Sequence, residues 1–358
     1  MVIMSGGAMR RVFAAVISSA ALLVSIPALP AVAAPTPSWF ERGTPMAPRL
    51  QWNANDGYCG ETSFISAGML FGQYTSQWTA RLLASPGVPQ WESSSQLLLG
   101  TSSERRAALA MKLEARYFDS ARQRSIPQYL TWVKKRFLRG DAVIIGVLNN
   151  TTTLDEQGPG DREYDHIVPV FGFGSTQRLN ASKVTYRSTD TITISDNGLH
   201  NIGPNYPYLY SYELAGFPRS RSAANAPGGP LYSLRKWPRT YATAITGVVD
   251  PDGVTIPVRL TSDVNGEGLQ NEPVLKAPPA PSPMTLTAHV RIPDQSVAYR
   301  VYLYDDFAQV PTRDFNARAA KAIQSWTIPP GSGAVWRVTI DLMTDQTRVF
   351  RAVPATAP

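Results

Sequence analysis

Apolar and polar positions alternate with two different periods along this chain. Phe64, Ala67, Gly68 and Phe71 recur at helical spacing with Ile65 and Met69 beside them, which predicts a helix from Cys59 to about Tyr74. Leu109 and Leu113 lie one turn apart and predict a second helix over 104–117. A third is marked by its ends. Ser125-Ile-Pro-Gln128 forms a capping box with proline in the first turn, Leu130, Val133 and Phe137 make the stripe, and Gly140 stops it. Strand patterns follow: a β-branched run at 142–148, His166 to Phe173, and the alternating Thr191–Ser195 ending in the turn residues Asp196-Asn197-Gly198. Helices followed by antiparallel-looking strands predict an α+β domain.

From Tyr241 onward the period is two. Leu286, Ala288, Val290 and Ile292 share one face, and Tyr299, Val301 and Leu303 repeat the pattern, as do Trp336, Val338, Ile340 and Leu342. Such strands predict a β-sandwich over 241–358, with a proline-rich stretch at 277–283 and a short helix over 315–323. The first pattern occupies 34–240.

Residues 1–33 read as an export signal. Arg10 and Arg11 precede an apolar run from Val12 to Leu29, and Ala31-Val32-Ala33 supplies the small-x-small cleavage pattern. Ser18, Ser19, Ser25 and Pro27 interrupt the run and Pro30 follows it, which favours a cleaved signal over an anchor. The expectation is a secreted protein without stable membrane association. Among 358 residues, 43% hydrophobic and 17% charged, there is enough apolar surface for a sizeable core. The formal charge of +7 comes from scattered basic residues, with short clusters at Lys134-Lys135-Arg136 and Arg235-Lys236, and reads as a mildly basic solvated surface. Without an aromatic-interleaved basic stripe, a nucleic-acid partner is not expected. One Cys and three His exclude a cysteine zinc site, and neither a metal nor another cofactor is expected.

Cys59 is therefore the residue to explain, since an unpaired thiol is a liability in an oxidising compartment. At a helix start the dipole favours the thiolate, and Gly57 and Gly60 would let a substrate backbone approach. A base is needed. His166 opens a strand beside a loop; His200 lies in a polar loop, and His289 on a polar strand face reads as structural. Asp196 ends the strand after His166 and could accept from the imidazole, with Asn197 next to it; Asp190 competes from the strand's other end.

Tyr58-Cys59-Gly60-Glu61-Thr62-Ser63-Phe64 and its helix, Val143-Ile-Ile-Gly-Val147, His166-Ile-Val-Pro-Val-Phe-Gly172 and Ile194-Ser-Asp-Asn197 occur in the order seen in papain-fold cysteine peptidases. The stretch 48–215 resembles the double-glycine-leader (bacteriocin-processing) branch. The resemblance implies a papain-like fold, Cys59 as nucleophile, His166 as general base and Asp196 as orienting residue. The family has a Gln six residues before the Cys as an oxyanion donor; that place holds Asn53, with Gln51 two residues earlier. Glu61, in the first turn after Cys59, would oppose a thiolate. The reading is a secreted hydrolase of peptide or amide bonds acting on peptide or protein substrates through a thiol acyl-enzyme. Its alternatives are acyl transfer of transglutaminase type on the same residues, and a non-catalytic binding protein retaining the fold.

Overall fold

The computed structural model describes residues 38–120, 122, 125–149, 164–200, 208–219, 222–234, 240–267 and 273–357, and the predicted signal over 1–33 lies outside them. Residues 38–358 form one compact unit of mixed α+β structure.

In chain order the elements are β1 (Phe40–Gly43), α1 (Cys59–Leu70), β2 (Gln73–Tyr74), α2 (Gln77–Ala84), α3 (Ser102–Ala110), β3 (Leu113–Tyr117), α4 (Ile126–Leu138), β4 (Ala142–Asn149), β5 (His166–Ser175) and β6 (Thr191–Ser195). Then come β7 (Leu209–Glu213), β8 (Tyr232–Ser233), β9 (Ala242–Val248), β10 (Val258–Ser262), β11 (Pro283–Arg291), β12 (Tyr299–Tyr304), β13 (Gln324–Ile328), β14 (Val335–Met343) and β15 (Arg348–Pro354). An eight-stranded sheet runs β3-β9-β4-β5-β6-β7, with β1 on β5 and β8 on β4. Two smaller sheets, β10-β11-β14 and β13-β12-β15-β2, share a core built from the alternating faces of β11, β12 and β15. The described pairings are antiparallel.

Helix α1 carries the predicted nucleophile and is buried from Gly60 to Met69. Its faces serve two cores: Phe64 and Ala67 pack with β4 and β5 residues Ile144 and Ile167, while Ile65 and Met69 pack with Leu286 and Val301 of the smaller sheets. Burial on all sides fixes the helix axis, and truncating Phe64 to Ala would cost about 3–5 kcal/mol. Gly60 is required by packing: a Cβ there would lie 2.0 Å from the Leu97 carbonyl oxygen. This corrects the expectation that Gly60 admits substrate backbone.

The boundary expected near residue 241 does not separate two bodies. β9 is hydrogen-bonded between β3 and β4 in the large sheet, and β2 from the first segment pairs with β15, Tyr74 opposite Arg348. The segments therefore interlock. The helix expected over 104–117 ends at Ala110; Lys112 turns the chain at φ 54°, and Leu113 begins β3. Pairing with β9 outweighs the local helical spacing, and Leu109 is left 71% exposed. The helix from Ile126 to Leu138 forms as expected, with the Ser125 side chain accepting from the Gln128 amide. In place of a helix over 315–323 there is a single 3₁₀ turn at Ala319–Lys321.

Candidate active site

Cys59 and His166 open α1 and β5 and line one cleft of about 390 Å³ together with Gln51, Asn53, Asp56, Leu199 and Pro273. Helix and strand pack against each other, and Ser63 of α1 donates to the Cys59 carbonyl at 2.7 Å and the Ile167 carbonyl at 3.3 Å. Both side chains thus sit on rigid elements.

The electrostatics differ from the sequence expectation of a lowered thiol pKa. Burial, followed by the Glu61 carboxylate, pushes the Cys59 thiol up to about 12, against smaller lowering by the Ile167 amide, Arg81 and the Gly60 amide. Burial likewise pulls His166 down to about 4, although the Asp196 carboxylate and carbonyl act the other way. At neutral pH the resting pair is thiol and neutral imidazole.

His166 Nε2 lies 2.9 Å from the main-chain carbonyl oxygen of Asp196. A carbonyl only accepts, so Nε2 carries the proton and Nδ1 keeps its lone pair. The His166 ring also stacks on Tyr232, centroids 5.8 Å apart. The Asp196 carboxylate faces elsewhere: it accepts from the amides of Gly198 at 2.9 Å and His200 at 3.0 Å, shaping the turn after β6. Asp196 therefore meets His166 through its backbone rather than through the side chain expected from sequence. The reason is local, because a carboxylate two and four residues before free amides is captured by them. Asp190 is remote from this contact and forms a buried ion pair with Lys134 at 2.5 Å. Within the cluster 134–136, Lys134 is therefore buried in an ion pair while Lys135 stays exposed.

Asn197, at φ 53° and fully buried, is the fastener of the site. Its Nδ2 donates to the carbonyls of Ile167 (3.0 Å) and Cys59 (3.3 Å) and lies 3.1 Å from Ser63 Oγ. One carboxamide thereby ties α1, which carries Cys59, to β5, which carries His166.

Of the two oxyanion candidates, Asn53 is exposed and Gln51 is 5% exposed. Gln51 Nε2 reaches within 3.8 Å of where a Gly57 side chain would begin, and its Oε1 is buried without a partner. Its amide donates to the Asn197 carbonyl at 2.9 Å, tying the segment before α1 to the turn after β6.

Glu61 is matched by a residue the sequence reading missed. Arg81 Nε lies 2.7 Å from Glu61 Oε1, both side chains being buried, and Glu61 also accepts the Leu97 amide. The same guanidinium donates to the carbonyls of Asn55, Gln90 and Gly57 and covers the Tyr58 ring at 3.7 Å. It fixes the 55–58 loop that presents Cys59. Gln77 was also missed; it accepts from the Trp52 amide and Thr62 and donates to the Leu50 carbonyl. The available signal was Ser76, whose side chain caps α2 through the Thr79 amide.

His200 Nδ1 contacts the Tyr232 hydroxyl at 3.0 Å, and His289 contacts Thr261 and Arg337 on the small sheet. Among the described residues there is no group of three His, Cys, Asp or Glu able to hold a metal ion, and no helix is long and apolar enough to cross a membrane. The chain matches no protein-family model, no curated protein and no solved structure.

Proposed function

We propose that the protein is a secreted thiol hydrolase of peptide or amide bonds, with a papain-like catalytic part and a β-sandwich built on β10–β15. The observation that carries this reading is the tautomer: with Nε2–H donated to the Asp196 carbonyl, His166 keeps Nδ1 as a base in the cleft that holds Cys59.

In this reading the Cys59 proton passes to His166 Nδ1 as Sγ attacks the substrate carbonyl carbon, so no resting thiolate is needed. The oxyanion is held by the Cys59 amide, which as a first-turn amide has no intrahelical acceptor, and by Gln51 Nε2. His166 returns the proton to the leaving amine, whose bond to the acyl carbon breaks. Water then attacks the thioester, giving its proton to Nδ1, and Sγ leaves as the thiol. Asn197 and Arg81 position these groups without touching substrate.

A p-nitrophenyl ester tests the reading. One equivalent of nitrophenolate should appear in a burst, with a mass increment on Cys59, and both should vanish in Cys59→Ala and slow at least 100-fold in His166→Ala. Absence of a Cys59 acyl adduct in the wild-type chain would favour the non-catalytic binding reading, which the neutral resting pair also accommodates.

A further inference from the structure

We propose that residues 273–275, between β10 and β11, form a substrate-binding wall of the Cys59 cleft, clamped to the catalytic loop by Asn55. The inference rests on the hydrolase reading and adds a specificity element that lies outside the catalytic part. Residues at the end of β10 and just after it also border the segment leading to Cys59: the Leu50 amide donates to the Asn265 carbonyl at 2.7 Å, and Arg49 reaches Ser262 at 3.2 Å. Asn55 makes the junction. Its amide donates to the Pro273 carbonyl (3.2 Å), its Nδ2 donates to the Leu275 carbonyl (3.0 Å), and its Oδ1 accepts from the Leu275 amide (2.8 Å).

The same Nδ2 lies 3.1 Å from the hydroxyl of Tyr58, the residue immediately before Cys59. Leu275 is buried with Trp52, Ala54 and Tyr58, so the junction is packed as well as hydrogen-bonded. Held this way, Pro273 enters the cleft lining beside Cys59 and His166. With Leu199 and Ala54 it provides the apolar lining of a cleft otherwise formed by polar side chains and glycine around the thiol and imidazole. The chemistry this wall selects is a peptide carrying an apolar side chain next to the bond attacked.

The experiment compares alkylation of Cys59 in the full chain by a leucyl chloromethyl ketone, a glycyl chloromethyl ketone and iodoacetamide. The wild-type chain should prefer the leucyl over the glycyl reagent by at least tenfold. Pro273→Asp should reduce that ratio at least tenfold, with iodoacetamide reporting thiol access separately. An unchanged ratio in Pro273→Asp, or no leucyl preference in the wild-type chain, overturns the proposal. Parallel loss with all three reagents does so too, because it reports only structural damage. Loss of leucyl preference in Pro273→Asp from a chain that forms no acyl-enzyme would uphold the wall and overturn hydrolysis.

Discussion

Alkylation of Cys59 as a function of pH puts the electrostatics of the site to a quantitative test. With the thiol at about 12, the thiolate fraction at pH 7 is about 10⁻⁵. An unperturbed cysteine near pKa ~8.5 has about 3%. The deficit is about 3000-fold. A more basic thiolate recovers part of it: with a Brønsted slope of about 0.45 over about 3.5 pH units, intrinsic nucleophilicity rises about 40-fold. Iodoacetamide should therefore label Cys59 roughly 10²-fold more slowly at pH 7 than it labels the same chain unfolded in guanidinium. The folded rate should climb tenfold per pH unit from pH 7 through 9.

His166→Ala tests the partner. A thiolate stabilised by imidazolium would lose its low-pH reactivity when the ring is removed. A neutral pair has no such reactivity to lose, so labelling should change less than about threefold. A plateau of rapid labelling between pH 5 and 7 that disappears in His166→Ala would refute the argument, because it requires an ion pair that burial suppresses.

Four other outcomes follow from the same contacts. Glu104 and Glu267 are pushed by burial to about 7 and about 8, above their unfolded values, so their protonation stabilises the fold below about pH 4.5 and that contribution is lost as pH rises through 7 and 8; the melting temperature should fall over that window, and Glu104→Gln with Glu267→Gln should flatten the slope. Arg81→Leu leaves Glu61 buried and unpaired and should cost about 3–5 kcal/mol in urea unfolding, with Glu61→Gln/Arg81→Leu only partly restored because the Asn55, Gln90 and Gly57 carbonyls stay without their donor. Asp196→Asn should retain most esterase activity and Asp196→Ala should lose more, since the His166 acceptor is backbone while the carboxylate shapes the turn. A fragment ending at residue 240 lacks β9 from the large sheet and should show no cooperative melting transition.

The sequence made most of the local elements legible, because α4, β5, β6 and the strands after β10 carry period and end signals together. It lost β3 and the domain boundary for one physical reason. Both are decided by pairing with β9, a strand more than 120 residues beyond β3, and no local window contains that partner. Cys59 and His166 were legible as scarce chemistry at element starts, and the structure brings them to one cleft. Arg81 was not, since a cation inside α2 reads as solvated until the helix is docked on α1. The role of Glu61 changed with it: a carboxylate beside a thiol is repulsive alone and half of an ion pair once Arg81 arrives.

In the proposed mechanism the oxyanion donor is not the residue that the family spacing selects. Counting six residues back from Cys59 gives Asn53, which presupposes a chain that advances steadily from donor to nucleophile. Here Asn55, Asp56 and Gly57 take φ of 48°, 61° and 88°, three consecutive left-handed residues that turn the backbone on itself. Residues spent in that turn add length without adding reach, so the carboxamide below the cleft belongs to a position farther back. Asn53 lines the cleft as an exposed side chain, and Gln51 lines it from the buried position next to Gly57. Asn-Asp-Gly is the composition such a turn demands, so the offset was written in the sequence as turn chemistry rather than as a motif. The same turn directs the Asn55 and Gly57 carbonyls to Arg81, joining the reach of Gln51 to the ion pair that neutralises Glu61. Donor placement and thiol electrostatics therefore depend on one loop, and a substitution in the turn should disturb both together.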